Sequence, residues 1–220
     1  MKSLTEKIID SGQVNRVLND AQLKRLLTVS DASRYGLVNR ALKVGELHRV
    51  KRGMYVVDNK YRDYPLHPFA LAQMMEPGSY VSLETALAHH GWIPEAVYTT
   101  ASITPETKSK HYEHEIFGSF TFNPLAIETG YFLELVLRQQ VDKQTMLIAK
   151  PFRALMDLVC LRKKEWQGMD WLVEGMRIDY ETLRTINSVE MRTLKLVYKQ
   201  KRVKNFLDEL GIALGLGVRE

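Results

Sequence analysis

Residues 19–57 read NDAQLKRLLTVSDASRYGLVNRALKVGELHRVKRGMYVV. The stretch holds two helices, a tight turn between them, and a two-stranded hairpin with a basic tip. In the second helix Asp31 is the expected N-cap, because its carboxylate can accept a free backbone N–H of the first turn. At about 100° per residue, Leu37, Val38, Ala41, Leu42 and Val44 fall on one arc. Asn39, Arg40 and Lys43 fall on the other, with Gly36 between them. Gly45 ends the helix as a residue free to take positive φ just past the last turn.

The preceding helix spans about 20–28, with Asn19 as its cap and Leu23, Leu26 and Leu27 as its buried side. Residues 29–33 form a short connector between helices that must cross steeply, which is the helix-turn-helix pattern. The hairpin follows at once. Leu47, Val50, Met54 and Val56 flank Lys51, Arg52 and Gly53, and Gly53 supplies the backbone freedom of the turn. A helix-turn-helix followed by a basic hairpin reads as a winged helix. The outer face of the second helix would enter a major groove, and the wing would lie against phosphates or in a minor groove. Each piece alone reads equally well as a solvated helix or a solvated hairpin. It is the order of the pieces, with cations at the groove-facing places, that points to DNA.

Outside that stretch, charge is unevenly spread. Residues 1–60 carry twelve Lys/Arg against six Asp/Glu, residues 61–150 six against ten, and residues 151–220 thirteen against ten. The positive end coincides with the winged-helix candidate, and the acidic middle argues against DNA lying along the whole molecule. A chain of 220 residues with 45% apolar and 26% charged content has room for one large or two small domains without staples. Its one cysteine, Cys160, sits in an apolar helical context and reads as a small core residue. The charged N-terminus does not resemble a signal peptide, and no apolar run approaches the length of a membrane span. A soluble, cytoplasmic protein without a membrane partner is the expectation.

Ser3 and Glu6 form a capping box for a first helix over 4–11, stopped by Gly12, with Leu4, Ile8 and Ile9 expected inward. Val14, Val17 and Leu18 are expected beneath the helix-turn-helix. Residues 1–62 are thus read as the DNA-binding domain and 63–220 as a second, α+β domain with a helical end. In the latter, helices are expected over 67–75 and 83–90, the second capped by Ser82. Strands are expected over 97–103, 112–123 (with a turn at Phe117-Gly118-Ser119-Phe120), 132–136 and 145–149, with Asp142-Lys143 as a turn. Pro151 opens a helix at its first turn. Further helices are expected over 170–177, 180–186, 189–198 and 203–210, with Asp179 and Ser188 as caps. The Gly-rich tail IALGLGVRE reads as frayed.

Several of these stretches together carry a resemblance. The run ALKVGELHRVKRGMYVV resembles the helix, Gly-x-Leu, basic wing, Gly-x-Tyr signature of the AbiE-type antitoxins, the transcriptional regulators of type IV toxin–antitoxin systems. Tyr80-Val81-Ser82-Leu83-Glu84-Thr85-Ala86-Leu87 with His90-Gly91 is similar to the family's Ser…Ala-Leu…His-Gly helix. Phe117-Gly118-Ser119-Phe120-Thr121-Phe122 is similar to its central hairpin. Ile148-Ala149-Lys150-Pro151-Phe152-Arg153-Ala154-Leu155-Met156-Asp157 is similar to its Ile-Ala-x-Pro-Glu-Lys-Ala-Leu-Leu-Asp helix, departing from it at Phe152-Arg153. The resemblance covers about residues 14–200. It implies an N-terminal winged helix that binds inverted repeats upstream of its own operon, in an abortive-infection (phage-defence) system. It further implies a C-terminal domain that supports cooperative binding and counters a nucleotidyltransferase-like toxin without a stable complex.

Catalytic signatures are weak. His111 and His114, three apart in a strand, would point to opposite faces, which is poor for a shared metal. His89 and His90 read as a helix C-terminal cap, partly protonated against the dipole. Neither a phosphate-binding Gly loop nor a nucleophile elbow is present. Glu106-Thr107-Lys108 is the nearest match to a nuclease carboxylate–lysine pair and falls in a loop. Asp157, in an apolar helix, reads as a buried hydrogen-bond acceptor. No catalytic, metal or cofactor role is assigned. The DNA-contact candidates are Ser33, Arg34, Asn39, Arg40 and Lys43 on the recognition helix, and Arg49, Lys51 and Arg52 on the wing. A secondary basic patch comprises Arg162, Lys163, Lys164, Lys199, Lys201, Arg202 and Lys204, readable as a solvated face, as extra nucleic-acid contact or as a surface for a second copy. Trp92, Trp166 and Trp171 read as core or seam residues. Two other functions stay open: a winged helix delivering a nuclease or transferase domain to DNA, and a protein-interaction module.

Overall fold

The computed structural model describes residues 2–216. The chain is mixed α+β, with a three-stranded and a six-stranded sheet. The first unit runs α1 (Leu4–Asp10), β1 (Leu18–Asn19), α2 (Asp20–Leu27), α3 (Asp31–Lys43), β2 (Leu47–Lys51) and β3 (Met54–Val57). Local chemistry sets most of its boundaries. The Ser3–Glu6 capping box opens α1, and a second box of Asn19 with Gln22 opens α2, each satisfying two otherwise free N–H groups. At α3 the cap is Ser30, not Asp31: the Ser30 side chain accepts from the Ser33 N–H. Asp31 is the first helical residue, where a negative charge complements the dipole. Gly45 follows α3 with φ +68°.

Three further features of this unit depart from the sequence reading. Ile9, expected inward, is 42% exposed. Residues 18–19 are a short strand that pairs with β3, giving the sheet order β1-β3-β2. Val44, expected inside, is 59% exposed because it is already the cap residue beyond the last full turn. Leu4, Ile8, Leu23, Leu27, Val38 and Tyr55 belong to the core beneath. Arg62 is tied back to this core by donating to the carbonyls of Val14 and Asn15.

A single turn of 3-10 helix (Asn59–Tyr61) leads to α4 (Pro68–Met75), β4 (Tyr80–Val81), α5 (Leu83–His89), β5 (Thr99–Thr104), β6 (Lys110–His114), β7 (Gly118–Pro124), β8 (Val136–Val141), β9 (Gln144–Ala149) and α6 (Pro151–Leu161). The large sheet has the order β6-β7-β5-β4-β9-β8, parallel at β5–β7 and β4–β9 and antiparallel elsewhere. Helices α4 and α6 pack on its opposite faces, as neighbouring strand residues demand. Tyr80 meets α6, whereas Phe120 and Phe122 sit in the cluster with Leu71 and Met75 of α4. Helices α7 (Tyr180–Leu183), α8 (Ser188–Val197) and α9 (Lys201–Ala213) complete the second core.

Pro151 opens α6 as expected, and Asp142 and Lys143 both take positive φ, 46° and 62°, in the β8–β9 turn. The strand expected over 132–136 is instead a run of turns, and β8 begins where it was to end. Within that run Leu135 takes positive φ, 55°, the N–H groups of Glu134 and Val136 bond back to Tyr131 and Leu133, and the Arg153 guanidinium donates to the carbonyls of Glu134 (2.8 Å) and Phe132 (3.4 Å). The helix expected over 170–177 is one turn of π-helix, Trp171–Gly175. The cap of α8 is Asn187, not Ser188. The expected frayed tail continues α9 through Ala213, and residues 217–220 of it lie outside the described residues. No helix among the described residues is long and apolar enough to cross a membrane.

Candidate nucleic-acid interface

The outward face of α3 follows from which residues it buries. Val38 and Ala41 point into the core. Ser33, Asn39, Arg40 and Lys43 are all exposed, as is Tyr35 at 67%, a residue the sequence reading passed over. Arg34 behaves differently. Its side chain is only 15% exposed and lies down on Asp31, one N–H donating at 2.7 Å. The Arg34 hydrogen bond and charge, with help from Lys24, hold the Asp31 carboxyl below its usual value.

The hairpin stands beside this helix. Asp20, Arg34, Tyr35, Asn39, Arg49 and Tyr55 contribute to one cleft of about 90 Å³. Arg49 is exposed, with its guanidinium 5.9 Å from the centre of the Tyr55 ring. Arg52 is exposed at the turn, and Gly53 beside it has φ +73°. A Cβ on Gly53 would sit 2.9 Å from an Asp20 carboxylate oxygen. The Asp20 N–H also donates to the Gly53 carbonyl at 3.2 Å, so the hairpin tip is pinned to the start of α2. On the far side of α3, Arg40 lines a separate cleft with Glu6 and Glu46.

Lys51 does not join this surface. A β-bulge lies between Arg49 and Lys51, so that Arg49 pairs with Tyr55 and Lys51 with Met54. In an unbroken strand residues two apart share a face; the extra residue re-aims the next side chain. Val50 and Lys51 both turn to the second unit. Val50 packs with Leu71, Met75 and Phe120. The Lys51 ammonium donates to the Met75 carbonyl and to Glu76 at 3.0 Å. Glu76 is 5% exposed and also accepts from Lys110 at 2.6 Å and Tyr112 at 3.0 Å. Burial alone would raise its carboxyl; the bonds from Lys110, Lys51 and Tyr112 outweigh that and hold it below its ordinary value. Lys51 is therefore an anchor between the units. His114 braces the same hairpin: its Nε2–H donates to the Arg49 carbonyl at 3.1 Å while Nδ1 accepts from the N–H groups of Ile116 and Phe117. Burial first of all keeps this imidazole below its usual value.

The secondary basic patch divides in the same way. Arg202 donates to the carbonyls of Val159, Cys160 and Lys164, closing the C-terminal end of α6. Arg162 pairs with Glu84, and Lys164 lies 5.4 Å from the centre of the Trp171 ring. Lys163, Lys199 and Lys201 are exposed, and Lys204 is half-buried. The patch thus divides: Arg162, Lys164 and Arg202 are internal ties, and Lys163, Lys199 and Lys201 face outward.

The sequence reading anticipated Asp157 as an acceptor but not the size of its network. Asp157 and Arg153 are both fully buried and joined at 2.9 Å. Asp157 also accepts from Tyr80 (2.9 Å), Ser82 (2.7 Å) and Tyr198 (2.7 Å). Ser82 therefore makes no side-chain cap for α5. Burial, and then the Asp157 charge, push the Tyr80 and Tyr198 hydroxyls well above their ordinary value, so both remain donors. His90, expected to be partly protonated, is instead held below its usual value by burial, with Nε2 bonded to the Ala149 carbonyl. Burial likewise pushes the Cys160 thiol up to about 12, leaving it unreactive. His111 pairs with Glu113 on the exposed side of β6, whereas His114 points under the hairpin. No cluster of three or more His, Cys, Asp or Glu among the described residues could hold a metal ion. Compared with protein-family models the chain matches none, and compared with curated proteins it finds no significant relative.

Proposed function

We propose that residues 1–62 are a winged helix that binds duplex DNA and that the protein is the DNA-binding autorepressor and antitoxin of a type IV toxin–antitoxin system. One observation supports the DNA-binding half above all: Arg34, Tyr35 and Asn39 of α3 and Arg49 of the hairpin line one cleft, in the segment with the largest positive excess. In this reading α3 enters a major groove with Asn39, Arg40, Lys43 and Ser33 toward bases and phosphates. Arg49 and Arg52 approach the flanking backbone or minor groove, and Arg34 reaches the duplex by leaving Asp31. Lys51 is withdrawn from the contact set, because its charge is already matched by Glu76. The antitoxin half rests on the sequence resemblance, with a nucleotidyltransferase-like toxin as functional partner and inverted repeats upstream of the operon as the target.

Fluorescence anisotropy with the DNA upstream of the chain's own gene tests the first half. Binding that is tighter than to unrelated duplex and weakens steeply with salt is the expected result. Equal, feeble binding to both would leave the module as a protein-interaction device. Product from plasmid DNA with a divalent metal would favour the enzymatic alternative. Co-expression with the downstream gene tests the second half, the expected result being rescue of growth that the downstream gene alone arrests.

A further inference from the structure

A second concentration of positive charge lies on the flank of α2 turned away from α3. Helix α2 presents two sides. Asp20 and Lys24 face the hairpin and α3: the Asp20 N–H reaches Gly53, and the Lys24 ammonium is 3.8 Å from Asp31. Gln22 and Arg25 lie roughly 150° further round, at about 100° per residue. There they meet Gln13 and Arg16 from the turn after α1, across an open cleft of about 540 Å³.

The lining of this cleft contains no Asp or Glu. Arg16 and Arg25, both exposed, enter none of the ion pairs among the described residues. Gln22 Oε1 is already taken by the Asn19 N–H at 2.8 Å, which leaves the amide NH₂ as its free donor. The Ser11 hydroxyl hydrogen is likewise committed, to the Ile8 carbonyl at 2.7 Å. Two like charges thus border one cleft with amide donors beside them and no acid to balance them. Planar guanidinium forks suit a tetrahedral oxyanion, and two of them match the near-double charge of a phosphate better than the single charge of a carboxylate.

We infer that this cleft binds a phosphate group, at a site separate from the α3 surface, carried either by a free phosphorylated molecule or by a nucleic-acid backbone. The site does not depend on α3 meeting DNA. The full-length chain is titrated with inorganic pyrophosphate and, separately, with a short duplex of unrelated sequence, following backbone amide resonances. Shifts centred on residues 11–13, 16 and 25 are expected. Arg16→Gln and Arg25→Gln are each expected to weaken the response about tenfold, as befits loss of one charge-assisted contact. Lys24→Gln, a cation on the other side of the same helix, is expected to leave it intact. Pyrophosphate binding lost in the Arg variants while duplex affinity is kept assigns a free phosphorylated ligand. Duplex affinity and salt slope falling in both variants assigns a nucleic-acid backbone. No response to either probe, or an equal loss in Lys24→Gln, overturns the site. Both arginines are exposed, so unchanged melting temperatures serve as the folding control.

Discussion

Two regions of the chain, the α3–hairpin face and the surroundings of α6, use arginine in opposite ways. In the second unit, Arg153, Arg162 and Arg202 are tied to the protein's own carboxylates and carbonyls. In the first unit Arg40, Arg49 and Arg52 stand exposed, and only Arg34 lies on a carboxylate neighbour. A count of cations gives both regions a basic character, but the guanidinium groups around α6 have internal acceptors and those of the α3–hairpin face, Arg34 apart, have none among the described residues. What separates them is pairing. A guanidinium that has found internal acceptors is part of the fold, and one that has not is available for recognition.

The sharpest break of this contrast lies at Asp157. Removing it strands the buried Arg153 charge and deprives Tyr80, Ser82 and Tyr198 of their shared acceptor. Loss of one partner of a buried ion pair costs about 3–5 kcal/mol. Asp157→Ala is therefore expected to lower unfolding stability by about that much in urea titrations. Arg153→Met with Asp157→Leu, which removes both charges, is expected to recover only the part due to the stranded guanidinium, since Tyr80, Ser82 and Tyr198 still lack their acceptor. If Asp157→Ala is as stable as the parent, the network is ornamental and the contrast between the two regions fails.

Next in size is a crossed pair of variants. Arg49→Ala is expected to weaken DNA binding about tenfold, in the range of a lost charge-assisted contact, with stability within about 0.5 kcal/mol of the parent. Arg202→Ala is expected to do the reverse, losing about 1–3 kcal/mol of stability as the Lys164 carbonyl loses its side-chain donor and those of Val159 and Cys160 keep only backbone ones, with DNA affinity unchanged. Anisotropy and urea unfolding on the same two proteins read both axes.

The fold was legible at most places where a short-range rule decides, though two caps were read one residue late, at Asp31 for Ser30 and at Ser188 for Asn187. Ser3 with Glu6, Asn19 before α2, Gly45 after α3, Pro151 opening α6 and the Asp142-Lys143 turn all follow from chemistry within a few residues. What else escaped is non-local. Arg153 bonds two carbonyls, 19 and 21 positions before it, in a run of turns where a strand was expected. Asp157 recruits partners 41 to 77 positions away. The candidate interface was legible on α3, where periodicity separates inside from outside, and failed at Lys51. There a one-residue bulge reversed the facing, and a bulge leaves no trace in composition.

Acid sharpens the comparison from another side. The imidazoles of His67, His90 and His114 all lie below their ordinary value, burial being the largest cause in each. The unfolded chain therefore takes up protons before the folded one. Their contribution to stability is complete above the ordinary imidazole value and is lost as pH falls through the folded values. Glu76, also depressed, adds a loss of the same sign at lower pH, below the ordinary carboxylate value. Melting temperature is thus expected to begin falling near pH 6.5 and to fall again below about pH 4. His114→Gln is expected to soften the first step, and Glu76→Gln the second. A flat profile from pH 7 to pH 5 would contradict the half-buried placement of these rings.

The smallest effect is the finest test, because it sets neighbours against each other. Lys51 and Arg52 are adjacent cations that sequence alone treats as equals. Each phosphate neutralised adds about 0.9 to the slope of log affinity against log salt. Arg52→Ala is expected to flatten that slope by about one, since its side chain is exposed at the turn. Lys51→Ala is expected to leave the slope intact, because its ammonium already faces Glu76 and the Met75 carbonyl. Its signature belongs to the seam instead: a lower melting temperature and faster amide exchange across β2 and β3. Should the slope fall equally in both, Lys51 leaves Glu76 when DNA arrives, and the division between internal and outward cations is a property of the free protein only.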